Sequence, residues 1–255
     1  MSPYTFTYII PYKHRMDRFQ NLKRVIDWVA GFKGVEIILV EQDRKPKIQN
    51  IPLKGVKYYF IKSELPFNKA LTFNVGLKYA TTNIIVFGDS DIIMDPQDFS
   101  NAVMMLKDFE CVSPYNRVID LKQEEIGWTL EQMKSINRPG RGETDIQKIC
   151  LCGGIIAYRK DAIQKIGGFC ENFIGWGAED DYQSMKSKRL CTWIEHPSNC
   201  YHLFHQPERP DMKFYQRNLQ ILNQGVNMSD DDLKKSIAVS IQKIGMKNKY
   251  DNYSF

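Results

Sequence analysis

The sequence has no long hydrophobic run: nothing in its 255 residues approaches the roughly 18 consecutive apolar positions that a membrane-spanning helix needs. Its first residues, MSPYTFTYIIPYKHR, show no basic segment followed by a long apolar core, so no secretory leader is expected. Paired CxxC metal knuckles are missing too. The six cysteines, Cys111, Cys150, Cys152, Cys170, Cys191 and Cys200, are scattered, and the expectation is reduced, mostly buried thiols in a cytoplasmic protein. Charge imbalance is slight. Lys+Arg 35 against Asp+Glu 30 leaves +5, which permits an anionic ligand or membrane surface without arguing for nucleic acid. Internal repeats and low-complexity linkers are absent. The remainder, 43% hydrophobic and 25% charged, is ordinary for a globular chain and excludes wholesale disorder, a collagen-like repeat or a disulfide-stapled miniprotein.

The apolar pattern alternates between two periods. Tyr4–Pro11 is β-branched and aromatic and reads as a strand. Asp17–Val29 spaces Phe19, Leu22, Ile26 and Val29 at helical intervals. Val35–Glu41 is a short continuous apolar run, as expected of a parallel strand covered on both faces. Val56–Ile61 (strand), Asn68–Ala80 (helix), Asn83–Phe87 (strand) and Pro96–Asp108 (helix) follow. This order predicts an α/β fold, a doubly wound and mostly parallel sheet flanked by helices, with ligands at strand carboxyl ends. Tyr115–Lys148 is polar and reads as helix plus irregular loop. Ile155–Tyr158 and Cys191–Ile194 read as strands, Asp161–Ile166 and Glu179–Lys188 as helices. A last helix opens at Ser229 with an acidic cap and carries Leu233, Ile237, Ile241 and Ile244.

Three segments bear chemistry. Asp89-Ser90-Asp91 follows an apolar strand directly. Carboxylates two apart project to one side of an extended chain, and hard oxygens at a strand end suit Mg²⁺ or Mn²⁺ on a diphosphate. Solvated Asp pairs in turns have the same pattern. His202-x-x-His205 can bind one ion on a single turn, and imidazole beside carboxylate favours Mn²⁺ over Mg²⁺. Gly175-Trp176-Gly177-Ala178-Glu179-Asp180-Asp181 is the most unusual. Acids at a helix start complement its dipole, but that does not explain a tryptophan between glycines. An aromatic platform on a mobile turn, for stacking on a sugar ring, does, and one of the acids then serves as general base.

The segments IPYKHRMDRFQNL, FNKALTFNVGL, IIVFGDSDIIMDP, CGGIIAYRKDAIQKIGGF, GWGAEDDY and HLFH, in this order and spacing, resemble the β-1,4-galactosyltransferase family of the GT-A glycosyltransferases, over roughly Ile9 to His205. The resemblance implies a Rossmann-like GT-A domain over 1–228, with a nucleotide-binding half (1–110) and an acceptor, metal and catalytic half (111–228), plus a helical extension over 229–255. It implies that Pro11, Tyr12 and Arg15 contact the nucleotide in a turn after the first strand. Phe67, Asn68 and Lys69 (for the family's arginine) match the uridine segment. Asp89 and Ser90 accompany the metal-ligating Asp91. His205 matches the family's metal-binding histidine, and His202 stands where vertebrate enzymes have a ligating methionine. Gly153 and Gly154 match the paired glycines beside the donor sugar, Trp176 the mobile-loop tryptophan, Asp180 the base and Glu179 the sugar-contacting acid. Gln206–Arg217 matches a lid over donor and metal. Leu151 falls where a tyrosine restricts the family to galactose and smaller residues accompany GalNAc.

The implied activity is an inverting, Mn²⁺-dependent transfer of Gal or GalNAc from a UDP-sugar to a hydroxyl of a glycan or lipid-linked saccharide, with Mg²⁺ less excluded by the His–Asp–His set. Other UDP-sugars (GlcNAc, Glc, GlcA) and a non-catalytic binding domain stay open at this stage. The expected setting is cytoplasmic, at the inner membrane face if the basic last helix makes peripheral contact.

Overall fold

The computed structural model describes residues 5–53, 55–141, 151–207 and 209–243. The first half is β1 (Thr7–Tyr12), α1 (Met16–Ala30), β2 (Glu36–Asp43), β3 (Val56–Lys62), α2 (Lys69–Tyr79), β4 (Ile84–Gly88), β5 (Ile92–Met94) and α3 (Pro96–Met104). The second is β6 (Cys111–Ser113), β7 (Arg117–Asp120), α4 (Leu130–Lys134), β8 (Ile155–Arg159), α5 (Lys160–Lys165), α6 (Glu179–Leu190), β9 (Trp193–Glu195), β10 (Asn199–His202), α7 (Met212–Asn227) and α8 (Asp230–Lys243).

A seven-stranded sheet has the order β3-β2-β1-β4-β8-β6-β9. β3, β2, β1 and β4 are parallel, β8 is antiparallel to both neighbours, and β9 is parallel to β6. The sheet is therefore mixed but mostly parallel, as expected. Its central strand shows why these apolar runs do not alternate. Tyr8, Ile10 and Tyr12 enter one apolar cluster with Leu22 and Phe99, while Ile9 enters a second with Phe73 and Phe87. Period-two geometry sends neighbours to opposite faces, and helices cover both. The strand order reverses between β1 and β4, opening a crevice at their carboxyl ends, where such sheets hold ligands.

A second sheet, β5-β10-β7, is three-stranded. Its strands are three or four residues long, too short for a periodic signal, and of these β5, β7 and β10 as well as β6 escape the sequence reading. Tyr115–Lys148, expected as helix plus loop, contains β7 as well as α4; its residues 142–148 lie outside the described set, as do Tyr4 and Cys150. The first strand runs through Pro11 and Tyr12, which were expected in a turn. The expected lid is only partly a loop, because Asp211 caps α7 through Lys213 N at 2.9 Å and Met212–Arg217 are its first turns. α8 buries Leu233 and Ile237, and Arg189 of α6 bonds Asp230 at 2.6 Å and the Met228 carbonyl at 2.8 Å. The described cysteines are free thiols. Among the described residues no helix is long and apolar enough to cross a membrane.

α2 lies against β1 because Gly76 has no side chain: a methyl there would overlap Ile9 Cγ2. The Gly76→Ala variant should lose about 1–3 kcal/mol through overpacking despite its higher helix propensity. A lowered urea midpoint at unchanged m-value checks it.

Candidate active site

β4 ends at Gly88, where any Cβ would collide with the Tyr8 ring, so the chain passes directly over β1 into Asp89-Ser90-Asp91. Asp89 N donates to Gly154 O at 2.9 Å, and Asp91 O accepts from Leu203 N at 2.7 Å. Gly154 has φ +107, and a Cβ there would lie 2.6 Å from Ile92 Cδ1, so only glycine fits. The Tyr115 hydroxyl donates to the Gly153 carbonyl. The paired glycines and the acidic triplet thus form one close-packed unit.

The second sheet brings in the histidines. His202 is the last residue of β10 and His205 follows in extended chain, so the pair is not on one helical turn as expected. His202 Nε2 lies 3.8 Å from Asp91 Oδ1, and His205 Nε2 lies 3.4 Å from Asp91 Oδ2. One ligand atom from each residue falls within 4.8 Å of the others. Each Nδ1 is engaged elsewhere: His202 donates to Asp120 Oδ1 at 2.8 Å and His205 to Gln206 O at 3.0 Å. Both rings therefore turn Nε2 toward Asp91. Two imidazole nitrogens and one carboxylate form a donor set that can hold a divalent transition-metal ion such as Mn²⁺ and suits Mg²⁺, which prefers oxygen ligands, less well. Burial would lower the His202 pKa, but the Asp120 and Asp91 carboxylates outweigh it and raise it. Asp120 was not singled out in the sequence, because only strand register brings it opposite His202.

α1 holds the histidine segment from behind. Asn21 Nδ2 donates to Phe204 O at 3.0 Å, and Asp17 Oδ2 accepts from Gln206 N at 3.2 Å. Arg15 grips Asp17 through two bonds, at 3.1 and 2.9 Å, and reaches Gln206 O at 3.4 Å. Arg15 is thus engaged with the segment that carries the metal-facing histidine.

Lys69 joins the two halves of the site. Its Nζ lies 2.9 Å from Asp89 Oδ1 and 3.1 Å from Asp180 Oδ1. Burial would lower the Lys69 pKa, but Asp180 and Asp89 more than reverse that and hold it charged. Burial raises the Asp89 pKa, with Lys69 opposing and Asp91 adding to the rise. Burial likewise pushes Asp180 up to about 6, Lys69 pulling against the shift and Asp89 adding to it. Glu179 is pushed up to about 7 by burial and then by Asp180. Its Oε2 is buried without a hydrogen-bond partner among the described residues, an acceptor that a ligand hydroxyl can satisfy.

Both acids open α6, whose N-cap, Ala178, has φ 68, the one positive-φ non-glycine residue among those described. The turn before it is hydrogen-bonded to two neighbouring elements. Gly175 N donates to Phe67 O at 2.8 Å, and Asn218 Nδ2 donates to the carbonyls of Ile174 and Gly177, each at 3.1 Å. Trp176 stacks on Tyr215 of α7 (5.7 Å, 27°) yet stays 65% exposed.

The other expected residues have structural contacts of their own. Pro11 and Tyr12 are buried in β1. Asn68 caps α2 through Leu71 N at 2.8 Å and donates to Glu171 O at 2.7 Å, so its side chain is already committed. Phe67 holds the Trp176 turn through its carbonyl. Ser90 is buried between the two acids. Leu151 is buried in the apolar cluster with Cys152 and Tyr158.

In the Lys69→Met variant, Asp180 should titrate roughly one to three pH units higher than in the parent, since the compensating cation is gone. Carboxyl ¹³C chemical shifts followed against pH check this without any ligand.

Two family models match the chain: Glycosyl transferase family 2 over residues 7–167, and the N-terminal domain of galactosyltransferase over residues 143–206. Beta-1,4-galactosyltransferase 1 of Mus musculus is 30% identical over 185 residues, 71% of this chain and 36% of the mouse protein, so the chain spans about a third of that relative's length. Among solved structures, S. aureus TarS in complex with UDP-GlcNAc superposes with TM-score 0.62 at 12% identity, covering 96% of this chain and 75% of the other. A Drosophila beta1,4-galactosyltransferase 7 variant in complex with manganese, UDP-Gal and xylobiose superposes at 0.52 and 14% identity, covering 82% and 78%. The fold is that of GT-A glycosyltransferases, and with more than half its length in the first model, this chain belongs to glycosyl transferase family 2 as a galactosyltransferase-like member.

Proposed function

We propose that this chain is a metal-dependent, inverting glycosyltransferase that moves a hexose, Gal or GalNAc, from a UDP-sugar to a hydroxyl of a glycan acceptor. The observation that supports it best is the convergence of two chemically distinct groups at the β1/β4 crevice. One is the Asp91, His202 and His205 set, the other the Glu179–Asp180 pair, and Lys69 links their two sides. The relatives crystallised with UDP-Gal and manganese, and with UDP-GlcNAc, support a UDP-sugar donor and a manganese ion.

A divalent ion held by Asp91, His202 and His205 would supply Lewis-acid stabilisation of the departing diphosphate. The remaining work falls to protein groups. Asp180 takes the proton of the acceptor hydroxyl as that oxygen bonds the anomeric carbon and the bond to the diphosphate oxygen breaks. Attack from the face opposite the leaving group inverts the centre, as with the base of inverting glycosidases, and no covalent intermediate forms. Glu179, with an unpartnered oxygen, accepts a hydrogen bond from a sugar hydroxyl. Trp176 offers its exposed face for sugar stacking. The raised pKa values suit the assignment, because a base working near neutral pH is strongest when its pKa approaches that pH.

The choice between Gal and GalNAc rests on the resemblance at Leu151, whose own side chain is buried. TarS favours a second reading in which UDP-GlcNAc is the donor. In either case residues 1–228 form the transferase domain, the acceptor is a glycan or lipid-linked saccharide, and 229–255 extend it.

The test is UDP release with Mn²⁺ over a panel of UDP-sugars. One donor should turn over, and Asp180→Asn should lower its rate on the order of 10²–10⁴. The parent rate should climb with pH through about 6 as Asp180 loses its proton, and that limb should vanish in Asp180→Asn. Nucleotide binding indifferent to Mn²⁺ would overturn the metal assignment. Donor binding without turnover across an acceptor panel would leave a binding domain.

A further inference from the structure

The metal-facing histidines are oriented by unlike partners. His205 donates its Nδ1 proton to a backbone carbonyl, Gln206 O. His202 donates to the carboxylate of Asp120, at the end of β7 and directly across the parallel β7–β10 pair in register. Leu121 N donates to His202 O at 2.9 Å, which locks that register beside the side-chain contact. The carboxylate is itself clamped. Arg141 donates from Nε to Asp120 Oδ2 and from Nη2 to Oδ1, both at 2.9 Å. Arg141 is held in turn by an isolated bridge to Val118, with backbone bonds of 2.8 and 3.1 Å.

We propose that Asp120, held by Arg141, is the positioning residue of the metal site, fixing His202 as the Nδ1–H tautomer with its Nε2 lone pair aimed beside Asp91. The inference rests on the metal reading above and adds a residue to it. The physical need is specific. A neutral imidazole carries one proton, and only the nitrogen without it can ligate. A carboxylate accepting at Nδ1 places the proton there, stops the ring from flipping and raises the basicity of Nε2. Arg141, bonded to both oxygens, fixes the orientation of the Asp120 carboxylate. A plain surface ion pair would satisfy Arg141 but would have no reason to hold a histidine facing Asp91. Because Asp120 acts on a nitrogen ligand, its loss should weaken Mn²⁺ more than Mg²⁺, which relies on oxygen donors.

The experiment measures binding of the metal alone to the full chain, without nucleotide, by the free-Mn²⁺ EPR signal and by Mg²⁺ competition. The variants are Asp120→Ala, Asp120→Asn, Arg141→Gln and Asp91→Asn. Asp120→Ala should weaken Mn²⁺ by about 10–100-fold and lower the Mn²⁺/Mg²⁺ affinity ratio. Asp120→Asn, whose amide oxygen still accepts from Nδ1, should recover part of that loss, and Arg141→Gln should lose less than Asp120→Ala. Long-range ¹H–¹⁵N spectra of the metal-free chain at alkaline pH, where the ring is neutral, should show His202 as the Nδ1–H form in the parent and shifted toward Nε2–H in Asp120→Ala. Asp120 is half exposed, so these variants should fold, and near-parental melting verifies it. Parental Mn²⁺ affinity and an unchanged His202 tautomer in Asp120→Ala would overturn the positioning role, while loss of Mn²⁺ in Asp91→Asn would keep the metal site. No Mn²⁺ binding by the parent chain would overturn both.

Discussion

The ammonium of Lys69 lies between Asp89 and Asp180, and the rest of the site depends on that pairing. Asp89, Asp91, Glu179 and Asp180 meet at the end of β4, Asp91 buried and the others partly so. Burial raises the pKa values of Asp89, Glu179 and Asp180, and the neighbouring carboxylates add to the rise. A single buried cation offsets part of the repulsion and ties α2, the β4 end and α6 at one point. The balance is also a chemical setting. Asp180 remains basic enough to take a proton near neutral pH, and Glu179 keeps an oxygen in reserve.

Around this charge centre the protein builds a second layer of constraint from hydrogen bonds. Both histidine rings are turned by what their Nδ1 atoms meet, one a carboxylate and one a carbonyl. The loop bearing His205 is stapled to α1 by Asn21, Asp17 and Arg15. Such placement matters because a ligand set works only when its lone pairs converge before the ion arrives. Thus α1, which packs its apolar stripe in the core, also sets the metal-facing segment with its polar first turns.

The Trp176 turn obeys a different constraint. Gly175 and Gly177 adopt positive φ, and a Cβ at Gly177 would lie 2.6 Å from the Tyr215 ring. Ala178 adopts the same region without being glycine, a conformation that surrounding packing must sustain. Asn218 and Tyr215 supply that packing from α7, so the helix that begins within the expected lid segment supports the turn. The result is a large aromatic face held toward solvent just before the start of α6.

Sequence alone determined the parts whose signal is local. Long apolar runs revealed β1, β2 and β4, since strands covered on both faces need no alternation. The period of α1 was plain, and the acids after β4 and before α6 stood out by composition. The ordered motifs carried the family. Tertiary structure decided the rest. β5, β7 and β10 are too short to announce themselves, yet their pairing sets Asp120 opposite His202 and brings Asp91 beside both histidines. α7 entered the reading only through its first turns, as the end of a lid; its Leu219, Ile221 and Leu222 pack against the cluster of Phe173 and Tyr182, a partner that lies far off in sequence. Asn68 and Tyr12 matched a motif, but whether a side chain is free for a ligand or committed to a cap or a core is a property of its neighbours. A sequence lists residue types along one dimension. Charge balance, imidazole orientation and strand register arise from distances across it, and those exist only in the folded chain.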